Sequence, residues 1–537
     1  MQHFNIITRR GFLDRSFKVG LGVALSTLVD IPLVVKRALA EGTIGVPGAN
    51  GKTKKLLFIF LRGANDSLNA VIPIQDTAYN STNRPTLMIP RDPATDYSAT
   101  TGTCDFPLSA AATDPTFNYA NAIRLGNGFA ALHPSHKFLA PVYNAGDLAL
   151  IHRVGYPKQS RSHFDSQNYW ETGNPNNNLV KDGILYRTMV ESGLANTNPL
   201  TGVSFQSSLP LILRGSAAAM TNLSDPTRYN LLGIPNTTQG NTKADAAINT
   251  VNGFPFADKK NRELLNLQYK NLNDTLATFA ALNFSEAGNT FVDDTGTDND
   301  SAPYYLFPTT NAKNGGYALH ANDPQKYVVD TGAYGFFGSL KAAALILNKT
   351  DAIVAGTEMG GFDTHQSQGT LTGGHPNLQR RIAWAMYGLR KYFLNYGDKA
   401  TWDNLVIVTL SEFGRTTVEN SDRGTDHAEA GVMFVAGGAV KGYNKGNNTG
   451  AFGCHPSDSV PWVTGQTGSM FGASSRYLKR AYDYRSILGK LIRDHLGATQ
   501  NQLNRIIPGY TDSRENLQAG GVCAIDNTPI IGEPNIV

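Results

Sequence analysis

The chain is poor in cysteine, in charge and in long apolar runs. Only Cys104, Cys454 and Cys523 occur among its 537 residues. They lie far apart, so thiols form no metal-ligand spacing. In an oxidising compartment one pair is available for a bridge, and nothing in the spacing selects it. Charged residues make up 17%, and the net charge of +4 includes the basic residues at the amino terminus. No basic run is interleaved with aromatics, which argues against a nucleic-acid partner. Past residue 40 no apolar stretch reaches about 18 residues, so no transmembrane span is expected there. Glycine is plentiful at 54 residues, and with abundant Asn and Thr it points to many loops.

The amino terminus carries a targeting pattern. Arg9-Arg10 is followed by Gly11-Phe12-Leu13, then by a moderately apolar stretch from Val19 to Val35. Ala38-Leu39-Ala40 then forms an A-x-A site ahead of Glu41. That order is the layout of a removable twin-arginine secretory signal over residues 1–40. It implies the twin-arginine export machinery as a partner and a periplasmic or extracellular location. Because that route carries folded proteins, a cofactor inserted before export fits it.

Residues 55–190 begin with the apolar run LLFIF and contain a second strand-like run, Leu148 to His152. A helix is expected from Ser162 to Trp170. Residues 191–330 are irregular, with a charged helical stretch at 259–282, and read as an insertion or cap. Their acidic segment, DDTGTDND at 293–300, lacks the glycine and distal glutamate of an EF-hand and reads as a solvated loop. Residues 331–537 return to strand–helix alternation. The expectation is an α/β domain over 55–537, with a mostly parallel central sheet flanked by helices.

What is present is a set of short polar clusters, three of them placed after strand-like runs. LRGANDSLN (61–69) follows LLFIF, GFDTH (361–365) follows AIVAG, and SEFGRT (411–416) follows LVIVTL. Ligands of open α/β sheets bind outside the carboxyl ends of the strands. Asp66 suits either an anion or metal site or an Asn-Asp turn. Asp363 and His365 stand two apart, which in an extended segment puts both on one face, open to one cation. Glu412 needs a counter-charge if buried, and either a cation or Arg415 supplies it. His427, in Thr425-Asp426-His427, offers a second imidazole ligand.

Ser160-Arg161-Ser162-His163 is the candidate nucleophile segment. A helix start presents free N–H groups that hold an anion. Ser162 or Ser160 would attack, Arg161 would clamp the anionic substrate, and His163 would assist. Plain helix capping is the other use of these serines. No G-x-S-x-G elbow surrounds either one, which weighs against a metal-free serine hydrolase.

The segments RRGFL, LFIFLRGANDSLNAVIP, VGYPKQSRSHFDSQNYWETG, GFDTH, VIVTLSEFGRT and GTDHAEAGVMFVAGG occur in this order. In these the chain resembles the exported bacterial proteins of the domain-of-unknown-function 1501 family. That family is grouped by resemblance with the alkaline-phosphatase superfamily, beside sulfatases and cofactor-independent phosphoglycerate mutases. The resemblance implies an alkaline-phosphatase-like fold and two metal sites. Asp66 and Glu412 would hold one metal with the nucleophile, and Asp363, His365 and His427 the other. Two features depart from the superfamily pattern. Phe413 follows Glu412 where an Asp-His pair is usual, and the Asp-to-His interval in GFDTH is short.

The expected function is therefore hydrolysis of a phosphate or sulfate ester at one or two divalent cations. Zinc suits the imidazoles; manganese, magnesium and calcium suit the carboxylates. The alternative is a metal-free, non-catalytic cell-surface module that keeps the fold and holds a glycan or a partner.

Overall fold

The first strand shows why a sheet forms here. β1 (Lys55–Leu61) is buried along its whole length. Its side chains alternate between two cores. Leu57, Ile59 and Leu61 enter one, and Leu56, Phe58 and Phe60 enter the other. A strand covered on both faces reads as a continuous apolar run, as LLFIF does. Burying each such side chain contributes about 1.5–3 kcal/mol.

In the computed structural model β1 lies inside a nine-stranded sheet. The other members are β2 (Leu148–Gly155), β3 (Gly202–Phe205), β4 (Thr221–Leu223) and β5 (Val354–Met359). They are joined by β6 (Leu405–Ser411), β7 (Gly431–Ala436), β8 (Ala451–Phe452) and β9 (Tyr482–Asp483). The order is β8-β2-β7-β6-β1-β5-β3-β4, with β9 also pairing with β2. The sheet is mixed. β7 runs antiparallel to both of its neighbours, β6 and β2, and every other pairing is parallel.

Helices cover both faces. On one side α3 (Tyr334–Lys349) and α4 (Gly374–Asn395) pack through Phe337, Leu340, Ile382 and Trp384. On the other lie α1 (His163–Thr172), α2 (Ile184–Glu191), α5 (Tyr484–Lys490) and α6 (Gln500–Ile506). They contribute Trp170, Leu185, Ile487 and Leu503 to the second core. Helix α4 carries the chain from β5 to β6, across the intervening β1. Three adjacent parallel strands therefore end side by side, and their following loops meet.

The structure describes residues 41–48, 51–90, 121–195, 200–218, 220–224, 304–309, 329–455, 458–460 and 476–537, with isolated positions between 243 and 293. The signal segment 1–40, Cys104, most of the charged stretch 259–282 and the acidic segment beyond Asp293 lie outside them. Cys454 and Cys523 are buried free thiols, so these two are not bridged to each other. The expected helix starts at His163 with Ser162 as its cap and runs to Thr172, ending at Gly173 in the left-handed conformation that suits a helix stop.

Candidate metal centre

Every predicted site segment reaches the same edge of the sheet. The 62–66 loop leaves β1, the 360–365 loop leaves β5, and Glu412 to Arg415 leave β6. The 156–163 segment leaves β2 and ends in α1. His427 precedes β7, whose reversed direction brings its start to the edge where the others finish. An isolated antiparallel bridge sets His427 opposite Arg415.

Close backbone approach makes this crossing feasible. Gly63 has φ +108°, and a Cβ there would stand 2.4 Å from the Asp363 nitrogen. Only glycine accepts both the conformation and the contact. Phe362 N–H donates to the Arg62 carbonyl at 3.1 Å, tying the two loops together. Thr425 N–H donates to the Thr364 carbonyl at 3.1 Å and brings the His427 segment alongside.

At the centre, three donor atoms form a small triangle. His163 Nε2 lies 3.0 Å from His427 Nε2 and 3.4 Å from Asp363 Oδ1. His427 Nε2 lies 3.2 Å from the same oxygen. His163, Asp363 and His427 are the one group of three or more His, Cys, Asp or Glu side chains among the described residues that is close enough to hold a metal ion. Tetrahedral zinc bound at about 2.0–2.1 Å has ligand-to-ligand edges of about 3.3 Å. The triangle fits that size.

The far nitrogen of each imidazole faces a protein oxygen. His427 Nδ1 is 2.8 Å from the Arg161 carbonyl. A proton on that nitrogen donates there and leaves the Nε2 lone pair facing the triangle. His163 Nδ1 faces Glu412 Oε1 at 3.7 Å, within ion-pair reach but too far for a hydrogen bond, and this buried nitrogen makes none. His365 is held on both sides, with Nδ1 3.2 Å from Asp426 Oδ1 and Nε2 3.0 Å from Asp363 Oδ1. Phe413 covers the pair from one side, its ring centroid 4.9 Å from those of both His163 and His427.

Glu412 is fully buried and held by donors. Gly63 N–H and Ala64 N–H each reach it at 2.9 Å, and Gln167 Nε2 at 2.6 Å. Burial opposes its charge. The facing His163, the Gly63 N–H and Gln167 outweigh that cost and lower its pKa. The same carboxylate raises the pKa of His163 against a desolvation cost. Burial and the Arg415 charge lower that of His427. Burial works against the Asp363 anion, yet Arg415, His427 and His365 bring its pKa down to about 2.

Arg415 is the hub beneath these groups. It is completely buried and pairs with Asp363. Its Nε donates to the Ala64 carbonyl at 2.9 Å and its Nη1 to the Thr425 carbonyl at 3.0 Å.

The expected pairing of Asp66 with Glu412 is not what the fold assembles. Asp66 is enclosed elsewhere, bonded by Arg84 at 2.7 Å and by Gln368 at 2.7 Å, and it caps a short turn through Leu68 N–H. Ser162 caps the helix, its Oγ accepting from Asp165 N–H at 3.4 Å, and Ser160, ahead of the helix, accepts from Ser162 N–H at 3.2 Å. Arg161 lays its guanidinium over Tyr477, 4.2 Å from the ring centre. Asp426, Gln167 and Gln368 were not singled out in the sequence. Of these only Asp426, between Thr425 and His427, had a visible signal.

Fold and site together define an α/β protein with a histidine–carboxylate cluster on the carboxyl edge of a mixed sheet. The chain belongs to the family described as "Protein of unknown function (DUF1501)", which it matches over residues 53–461. No curated protein and no solved structure matches it.

Proposed function

We propose that this protein is an exported, metal-dependent hydrolase of phosphate or sulfate esters, with an alkaline-phosphatase-like fold. The observation that carries the reading is the triangle of His163 Nε2, His427 Nε2 and Asp363 Oδ1, with separations of 3.0, 3.2 and 3.4 Å. His365, in contact with Asp363, stands ready as a further ligand. Two imidazoles and a carboxylate favour zinc, with manganese, magnesium and calcium as alternatives. A bound divalent ion would supply Lewis acidity, polarising an ester oxygen and acidifying water.

The remaining roles belong to the chain itself. Glu412 orients His163 and offsets its charge rather than binding the ion. Arg415 fixes Asp363. Ser162, at the start of α1 and adjacent to His163, is the proposed nucleophile, and Ser160 is the second candidate. The helix start beneath them offers N–H groups to the anionic group under attack. Arg161 would leave Tyr477 to reach that group.

One observation favours the competing reading of a non-catalytic surface module. Arg415 already neutralises Asp363 without any metal. Elemental analysis of protein purified by its native export route, with a panel of phosphate and sulfate esters, decides between the two. Metal together with turnover that Ser162→Ala or Ser160→Ala abolishes supports the hydrolase. Metal-free protein without turnover removes it.

A further inference from the structure

Asp363 and His427 reach the centre from strands that do not touch. β5, which leads into Asp363, and β7, which follows His427, are separated in the sheet by β1 and β6. No strand ladder therefore sets the distance between these two side chains, and their loops must hold each other.

Backbone ties join the loops at their rims. Ser367 N–H donates to the Asp422 carbonyl and Gln368 N–H to the Arg423 carbonyl, both at 2.9 Å. The inner tie is a side chain. Gln368 Oε1 accepts from the Thr364 hydroxyl at 2.9 Å and from the Thr425 hydroxyl at 2.7 Å. Thr364 stands between Asp363 and His365, and Thr425 lies two residues before His427. A carbonyl oxygen has two lone pairs, and here each takes a donor from a different loop. Gln368 and Thr425 are almost wholly buried, where loss of the acceptor leaves hydroxyl donors unpaired. The amide is also held against turning over. Its Nε2 donates to Asp66 Oδ2 at 2.7 Å, and Asp66, ion-paired with Arg84, can only accept.

We propose that Gln368 is a positioning residue: through the Thr364 and Thr425 hydroxyls it sets Asp363 and His427 at the spacing of one cation, with Asp66 fixing the direction of its amide. Asp66 then serves the centre at second hand and not as a ligand. Only the cation in this proposal rests on the hydrolase reading; the clasp itself belongs to the metal-free chain.

Three variants of the full exported chain test it. Gln368→Met keeps the length and removes the acceptor, Thr425→Val keeps the shape and removes one donor, and Thr425→Ser keeps the donor. Zinc affinity is read by chelator competition. In metal-free, histidine-labelled protein, the nuclear Overhauser effect between the His163 and His427 rings, whose centroids lie 4.4 Å apart, is read by NMR. Gln368→Met and Thr425→Val should weaken zinc binding about tenfold or more and cut the ring-to-ring signal by roughly half or more, while Thr425→Ser matches the parent. Thr425→Val should add little in the Gln368→Met background, because both act through one contact. The proposal is overturned if both variants keep the parent's ring-to-ring signal, whatever their stability, or if Thr425→Ser loses as much of that signal as Thr425→Val. Should Gln368→Met fail to fold, the Thr425 pair decides. A parent that binds no zinc ends the hydrolase reading, and the ring-to-ring signal alone then judges the clasp.

Discussion

His163 Nε2 and His427 Nε2 stand 3.0 Å apart, a separation two bare lone pairs would not tolerate. The environment moves the rings in opposite directions. Glu412 raises the pKa of His163 while burial lowers that of His427. Without metal, one proton therefore sits on His163 and is shared toward His427 and Asp363. A divalent ion bound as proposed would have to displace it. Zinc affinity is expected to rise about tenfold per pH unit while that proton is being lost, then to level off above the raised His163 pKa. Competition titrations with a chromophoric chelator between pH 5.5 and 8.5 measure this. A flat profile would rule out displacement.

Glu412 separates an orienting carboxylate from a ligand. Its oxygens are already taken by two backbone N–H groups and Gln167, and it faces the outer nitrogen of His163. Glu412→Gln should weaken metal binding about 10–100-fold, as loss of such outer partners does, and lower the His163 pKa. His427→Ala, which removes a proposed ligand, should cost more. Equal losses for the two variants would assign Glu412 to the ion itself. Metal content and the imidazole NMR titration read the two effects separately.

The strands around this site were legible because apolar runs covered on both faces leave a continuous trace in sequence. LLFIF and LVIVTL fall within β1 and β6, while AIVAG only overlaps the start of β5. The direction of β7 was not legible, since the run VMFVA pairs equally well either way. The partners of Glu412 were hidden for a different reason: Gly63 and Ala64 act through backbone N–H groups, which carry no side-chain signature. Asp66 resembled a ligand because Arg84, which encloses it, stands 18 positions later. The convergence of Asp363 with His427 depends on Gly63 admitting the neighbouring loop, a packing fact no local pattern contains.

Asp66 and Arg84 form a pair with no solvent exposure on either side. Burial opposes the Asp66 anion, but Arg84, His375 and Gln368 hold its pKa to about 2. Breaking such a pair by removing one partner costs about 3–5 kcal/mol. Asp66→Ala should therefore lower denaturant stability by that order while metal stoichiometry stays intact. The pH dependence follows in sign. The folded pKa lies below the ordinary 3.8, so the stabilisation is complete above about pH 4 and is lost as pH falls toward 2. Loss of metal without loss of stability in Asp66→Ala would return this residue to the ligand set.

Lys55 opens β1 from a buried position and donates to the Leu347 and Thr350 carbonyls at 2.6 and 2.7 Å, closing the end of α3. Burial brings its pKa from 10.5 down to about 7, with Asp351 opposing the change. Here the folded state favours the neutral amine. Between pH 10.5 and 7 the unfolded chain gains a proton that the native chain resists, so this group makes the protein progressively less stable as pH falls. Below about pH 7 both states are protonated and the penalty is constant. Lys55→Met removes the titration together with the two hydrogen bonds. The stability difference between parent and variant should favour the parent more at pH 9.5 than at pH 7, as read from urea midpoints and slopes at each pH. A difference that does not change with pH would show that Lys55 remains charged in the folded protein, its ammonium satisfied by the two helix carbonyls.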